Sequence, residues 1–156
     1  MQNIKFLLLG FIAALGALAV EMILTMLFPG EAALVFTQIT FLLILLVATE
    51  ELFKFAVMLK SVSTTSFFRP SFLISAGFAL TEIFLAYSKN TGIIQNNLYP
   101  LLAGVGIIHL TTGIICGYSA FAYKKTGRAL TPLLLLILAI VLHLIYNVVI
   151  IKLIRN

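Results

Sequence analysis

Residues 41–60 read FLLILLVATEELFKFAVMLK, an apolar run broken at its centre by Glu50, Glu51 and Lys54. An ionisable side chain at mid-membrane costs about 2.5 to 3.5 kcal/mol even on lenient insertion scales. This chain places three there and keeps Glu82, His109 and His143 inside later apolar runs, so these residues have a use. Composition supports the same environment. The chain is 62% hydrophobic and only 10% charged, with a mean hydropathy of +1.19, more apolar surface than a soluble domain of this length needs. Charged residues fall mostly in short gaps between apolar runs, leaving no stretch for an aqueous domain. Residues 1–156 therefore read as a single integral membrane domain.

A helix crossing a hydrocarbon core of about 30 Å needs about 20 apolar residues. At its charged and Pro/Gly breaks the chain divides into five such runs, 4–28, 33–59, 70–87, 98–123 and 131–154. The fold class expected is all-α, a polytopic bundle of about five transmembrane helices. Pro70 and Pro132 suit first helical turns, Thr131 suits an N-cap, and Pro29-Gly30 suits a tight reversal. Lys5, the apolar stretch after it and Ala17-Leu18-Ala19 have the make-up of a cleavable signal peptide. Apolar residues continue from Met22 to Phe28, however, and give a run long enough to span.

The single cysteine, Cys116, excludes an internal disulfide and a thiolate zinc cage. The net charge of +5 is spread between membrane segments rather than clustered, which argues against a nucleic-acid partner. Its distribution points to topology instead. With the N-terminus in the cytoplasm, the inner side holds Lys5, Lys60, Arg69, Lys124, Lys125 and Arg128, against Lys89, Lys152 and Arg155 outside. That excess predicts N-in and C-out.

Depth gathers the polar residues into one layer. At 1.5 Å per residue, Glu50 lies about 15 Å from Lys60, Glu82 about 18 Å from Pro70, His109 about 22 Å from Lys124 and His143 about 18 Å from Thr131. Helical phase agrees. Lys54 is four residues from Glu50 and three from Glu51, so one lysine can partly neutralise both carboxylates. His143 and Asn147 are also four apart, which lets the asparagine orient the imidazole. Ser71, Ser75, Ala79, Glu82 and Ala86 share one helix face, and Gly106, His109, Gly113 and Gly117 share another. Gly113 and Gly117 have the GxxxG spacing that admits close helix contact in lipid. Glu21 falls outside this pattern and reads as a packing or interface residue.

Four short motifs now stand in order: Glu50-Glu51-Leu52-Phe53-Lys54 (EExxK), Phe78-Ala79-Leu80-Thr81-Glu82 (FxxxE), an isolated His109, and His143-Leu144-Ile145-Tyr146-Asn147 (HxxxN/D). On successive membrane helices this set resembles the PrsW family of intramembrane proteases, within the wider superfamily of CAAX prenyl endopeptidases and bacteriocin-processing or immunity proteins. The resemblance spans roughly residues 49–147. Asn147 stands where the PrsW pattern more often has aspartate. The CAAX relatives use HxxxN but carry EExxxR and FxxxH, so Lys54 and Glu82 follow the PrsW version. The resemblance implies an intramembrane endopeptidase acting on a membrane-anchored protein or peptide, with Glu50, Glu51, Lys54, Glu82, His109, His143 and Asn147 as its catalytic set.

The chemistry implied is peptide hydrolysis by an activated water. Two carboxylates this close in low dielectric rarely both ionise, so one of Glu50 and Glu51 serves as general base while the other, held by Lys54, stays charged. The histidines admit two roles. With Glu82 they form a candidate ligand set for a divalent metal such as zinc, leaving a coordination position open for water. Alternatively, His143 and Asn147 stabilise an oxyanion without metal. The chain contains no aspartate and no HExxH, which excludes an aspartyl intramembrane protease and that zinc motif. Gly117-Tyr118-Ser119-Ala120 resembles half of a rhomboid loop, but Ser119 lies roughly 10 Å from the His143 layer and reads as packing. Two rivals remain. A non-catalytic scaffold or immunity protein of the same superfamily would keep the fold without the activity, as a subunit of gamma-secretase does. A proton- or cation-coupled carrier would also bury such groups, though the chain has no repeat symmetry.

Overall fold

Backbone N–H and C=O groups in hydrocarbon must find partners within their own segment, so each apolar run becomes continuous helix and ends where the sequence interrupts it. The computed structural model describes residues 2–32, 40–89 and 98–155. It contains α1 (Gln2–Leu27), α2 (Pro29–Ala32), α3 (Phe41–Ser61), α4 (Phe68–Lys89), α5 (Leu98–Thr126) and α6 (Leu130–Arg155), with no strand among the described residues. The expected all-α bundle is therefore present. Spans within α1, α4, α5 and α6 are long and apolar enough to cross a membrane. At 21 residues α3 has comparable length but carries Glu50, Glu51, Lys54 and Lys60.

Helix ends follow local chemistry. Pro29 opens the single-turn α2, where only a reversal was expected. Residues 33–39, expected to begin the second span, lie outside the described residues. The side chain of Thr40 accepts a hydrogen bond from Leu43 N at 3.1 Å, and Glu31 Oε2 accepts one from Leu42 N at 2.9 Å. Two of the orphan donors at the start of α3 are thus satisfied. At its other end Lys124 Nζ donates to the Val62 carbonyl at 2.6 Å, tying α5 to the close of α3. Pro70 sits in the first turn of α4, as expected. Thr131 does not cap α6: the helix begins at Leu130, and Leu133 N bonds the carbonyl of Ala129.

Helix α3 packs against α1, α4, α5 and α6, which neighbour one another in the order α1, α4, α5, α6. The most charged helix is therefore the one that touches all the others. Exposed side chains of α6, including Leu133, Ile137, Val141 and Ile145, face outward as a surface suited to lipid tails. Inside, Met58, Ile74, Cys116, Ala120 and Ala139 form one apolar cluster, and Leu42, Leu43 and Val47 form another. Between these clusters along α3 lie the buried Glu50, Glu51 and Lys54.

Small residues set the helix spacing. A Cβ at Gly10 would collide with the Ile74 carbonyl oxygen, and one at Gly77 with that of Leu7, so α1 and α4 meet backbone to backbone. Gly113 and Gly117 face the hydroxyls of Ser75 and Ser71, and no Cβ fits there either. Those serines donate within their own helix, to Ser71 O at 2.7 Å and Phe67 O at 2.6 Å, and so face glycine without an unmet donor. The GxxxG pair thus brings α5 close to α4 and carries His109 into the interior. Gly77→Ala is expected to destabilise the protein by about 1–3 kcal/mol through overpacking, read as a lower melting temperature in detergent. Gly30→Ala is the control, because a Cβ at Gly30 meets nothing within 4 Å; equal melting of the two variants would refute the close-packing account.

Candidate functional site

Consecutive residues on a helix point about 100° apart, so Glu50 and Glu51 enter different surroundings although they adjoin in sequence. Glu51 and Lys54 lie one turn apart, and their charges meet at 2.7 Å with both side chains fully buried. Lys54 Nζ also donates to Thr112 Oγ1 at 3.2 Å and lies 2.8 Å from His109 Nδ1. Three acceptors match the three N–H bonds of an ammonium. The Phe78 ring lies beneath it, 4.7 Å from Nζ to the ring centre.

Glu51 is as fully engaged. Its Oε1 accepts from Lys54, from Thr112 Oγ1 at 3.0 Å and from His143 Nδ1 at 2.6 Å, while Cys116 Sγ lies 3.5 Å from Oε2. Oε1 is thus an acceptor saturated with donors, while Oε2 meets only the weak thiol donor.

Glu50 differs. Its Oε2 is buried and has no hydrogen-bond partner among the described residues. The same oxygen lies 3.7 Å from His143 Nε2 and 4.0 Å from His109 Nδ1. The two imidazoles stand edge to face, with ring centres 4.9 Å apart.

These partners assign the tautomers. A carboxylate only accepts, so His143 carries its proton on Nδ1 and turns the Nε2 lone pair toward Glu50. An ammonium only donates, so His109 accepts on Nδ1 and carries its proton on Nε2. That N–H faces Glu82 Oε2 at 3.9 Å. Glu82 is the most open member of the set, with a side chain 29% exposed.

The expected layer is thus assembled in part. Glu50, Glu51, Lys54, His109 and His143 converge, with Glu82 at the margin. Lys54 makes its direct ion pair with Glu51 and reaches Glu50 only through its field. Among the described residues His143 hydrogen-bonds Glu51 rather than Asn147, which stays half-buried one turn away. Ser119 Oγ donates to the Pro132 carbonyl at 2.8 Å, in keeping with a packing role. The expected site omits Thr112 and Cys116. Both lie on the His109 face of α5, three and seven residues along, and that spacing was the available signal. Glu21, expected to be a packing or interface residue, is close enough to act electrostatically on Glu50, as is Glu82.

By distance, the buried Glu50, His109 and His143 could hold a metal ion, each offering a ligand atom within 4.8 Å of the others. Glu50 takes the place expected for Glu82 in this compact group. Lone pairs are the stricter test. Glu50 Oε2 and His143 Nε2 are open, but His109 is committed to Lys54.

The two glutamates should respond oppositely to neutralisation. Glu51→Gln leaves a buried ammonium without its counter-charge and is expected to destabilise by about 3–5 kcal/mol. Glu50→Gln removes no hydrogen bond of Oε2 among the described residues and should melt in detergent within about 1 kcal/mol of the parent protein. Equal destabilisation would overturn the distinction between them.

Comparison with known proteins adds no family to these observations: no family model, no curated protein and no solved structure matches the chain.

Proposed function

We propose that the chain is an intramembrane endopeptidase of the PrsW type, hydrolysing a peptide bond of a membrane-anchored protein with a water activated by Glu50. The observation that carries this reading is the buried Glu50 Oε2, without a hydrogen-bond partner among the described residues and 3.7 Å from His143 Nε2. That gap exceeds a direct hydrogen bond but lets one water bond to both atoms. His143 is held from behind by Glu51, the arrangement that fixes an imidazole's orientation and tautomer.

In the proposed reaction the water gives a proton to Glu50 as its oxygen attacks the peptide carbonyl carbon. His143 Nε2 accepts a hydrogen bond from the water's other O–H, which stays on the attacking oxygen, and so aims its lone pair. The oxyanion needs a donor, and His109 Nε2–H suits this better than His143, whose exposed nitrogen carries no proton. Collapse breaks the C–N bond, and Glu50 returns its proton to the leaving amine. Lys54 and Glu51 take no part in bond making; they hold both rings. Glu50, rather than Glu51, is thereby the base.

A water-based reaction within a bilayer needs a wet approach, and partly exposed Glu82 supports one from the outer half of the bundle. Lys60, Arg69, Lys124, Lys125 and Arg128 lie at the opposite end, on the adjoining termini of α3 to α6. We read that end as cytoplasmic, with the N-terminus inside and the C-terminus outside.

Protein purified in detergent should cleave a membrane-tethered peptide, and Glu50→Gln should slow this by roughly 10²- to 10⁴-fold, the usual contribution of a general base. Ser119→Ala should cleave at the parent rate. Cleavage that survives Glu50→Gln, or no cleavage of any tethered peptide, sinks the assignment in favour of a non-catalytic scaffold.

A further inference from the structure

The pocket has nearly everything a zinc site requires. Catalytic zinc sites commonly use three protein ligands from imidazoles and carboxylates, each imidazole steadied by a second group behind it. Here Glu50 lies between the two rings, Glu51 stands behind His143, and Glu82 faces the far nitrogen of His109. One residue contradicts the pattern, and it is cationic.

We propose that Lys54 gates this pocket against divalent transition metals such as zinc, and that its removal converts Glu50, His109 and His143 into a zinc site. While the ammonium donates to His109 Nδ1, that nitrogen's lone pair is occupied and Nε2 bears the ring proton. Neither nitrogen can then coordinate, whether the carboxylate ligand is Glu50 or Glu82. Position reinforces the point. Lys54 Nζ lies 2.8 Å from Nδ1, so a metal at its usual distance of about 2.0–2.1 Å from that nitrogen would fall almost on the ammonium. Nor does the lysine have an easy retreat. Its bonds to Glu51 and Thr112 and its seat over Phe78 are all buried, and the side chain is 0% exposed. Two protein ligands remain, enough for weak binding only. A non-catalytic protein with this geometry would behave in the same way.

The test is competition for zinc between the protein in detergent and a chromophoric chelator. Lys54→Met keeps the bulk of the stem and removes the donor. It should bind one zinc roughly 10- to 100-fold more tightly than the parent, in the range by which groups around a metal's ligands tune affinity. Adding His109→Ala or His143→Ala to Lys54→Met should abolish the gain. Parent protein that binds zinc as tightly as Lys54→Met overturns the proposal. Should Lys54→Met fail to fold, ¹⁵N-histidine spectra of the parent protein decide it. Excess zinc is expected to perturb His143 alone and leave His109 protonated at Nε2, whereas coordinated shifts of both rings refute the gate.

Discussion

The centre of the bundle depends on the buried contact between Lys54 and Glu51. Removing two opposite charges from water costs several kcal/mol each, and their attraction offsets this only when the remaining donors and acceptors are also met. Thr112 and His109 of α5 and His143 of α6 meet them. The pair therefore specifies which helices must surround α3, and at what rotation. Apolar packing alone would tolerate several arrangements of these helices in lipid, because lipid tails are as apolar as leucine. A saturated ionic network tolerates few.

The same network separates two chemically identical neighbours. Glu51 sits among donors and has no lone pair well placed for a substrate. Glu50, about 100° round the helix, points between two rings and has an oxygen with no hydrogen-bond partner among the described residues. Unpaired buried carboxylate oxygens are unfavourable, so their persistence in a folded protein calls for a reason. Under the proposed function, activation of a water is that reason.

Much of the fold was legible because charged and Pro/Gly breaks punctuate long apolar runs, and helix is the only open-ended structure lipid allows. The depth of Glu50, Glu82, His109 and His143 followed from helical rise alone, and the GxxxG of α5 from its spacing. What escaped was rotational and local. Spacing shows that Lys54 can reach either glutamate, but only the placement of Thr112 and the histidines decides which. Asn147 lies one turn from His143, yet the ring turns to Glu51 instead. Pro132 marks the start of α6 correctly while Thr131, next to it, falls two positions inside the capping residue, Ala129. Thr112 and Cys116 were not placed in the site because a threonine or cysteine in a membrane helix is unremarkable until a charge stands opposite.

The long sequence separation of the central contacts also bears on how the protein is made. Lys54 meets His109 and Glu51 meets His143 across 55 and 92 residues. When α3 leaves the ribosome, neither α5 nor α6 yet exists to receive its charges, and the helix by itself is a poor candidate for release into lipid. Residence of α3 beside the insertion machinery, or against α1, must bridge that interval. Contacts of this reach call for a delayed assembly rather than a helix-by-helix insertion, with α6 completing the surroundings of α3.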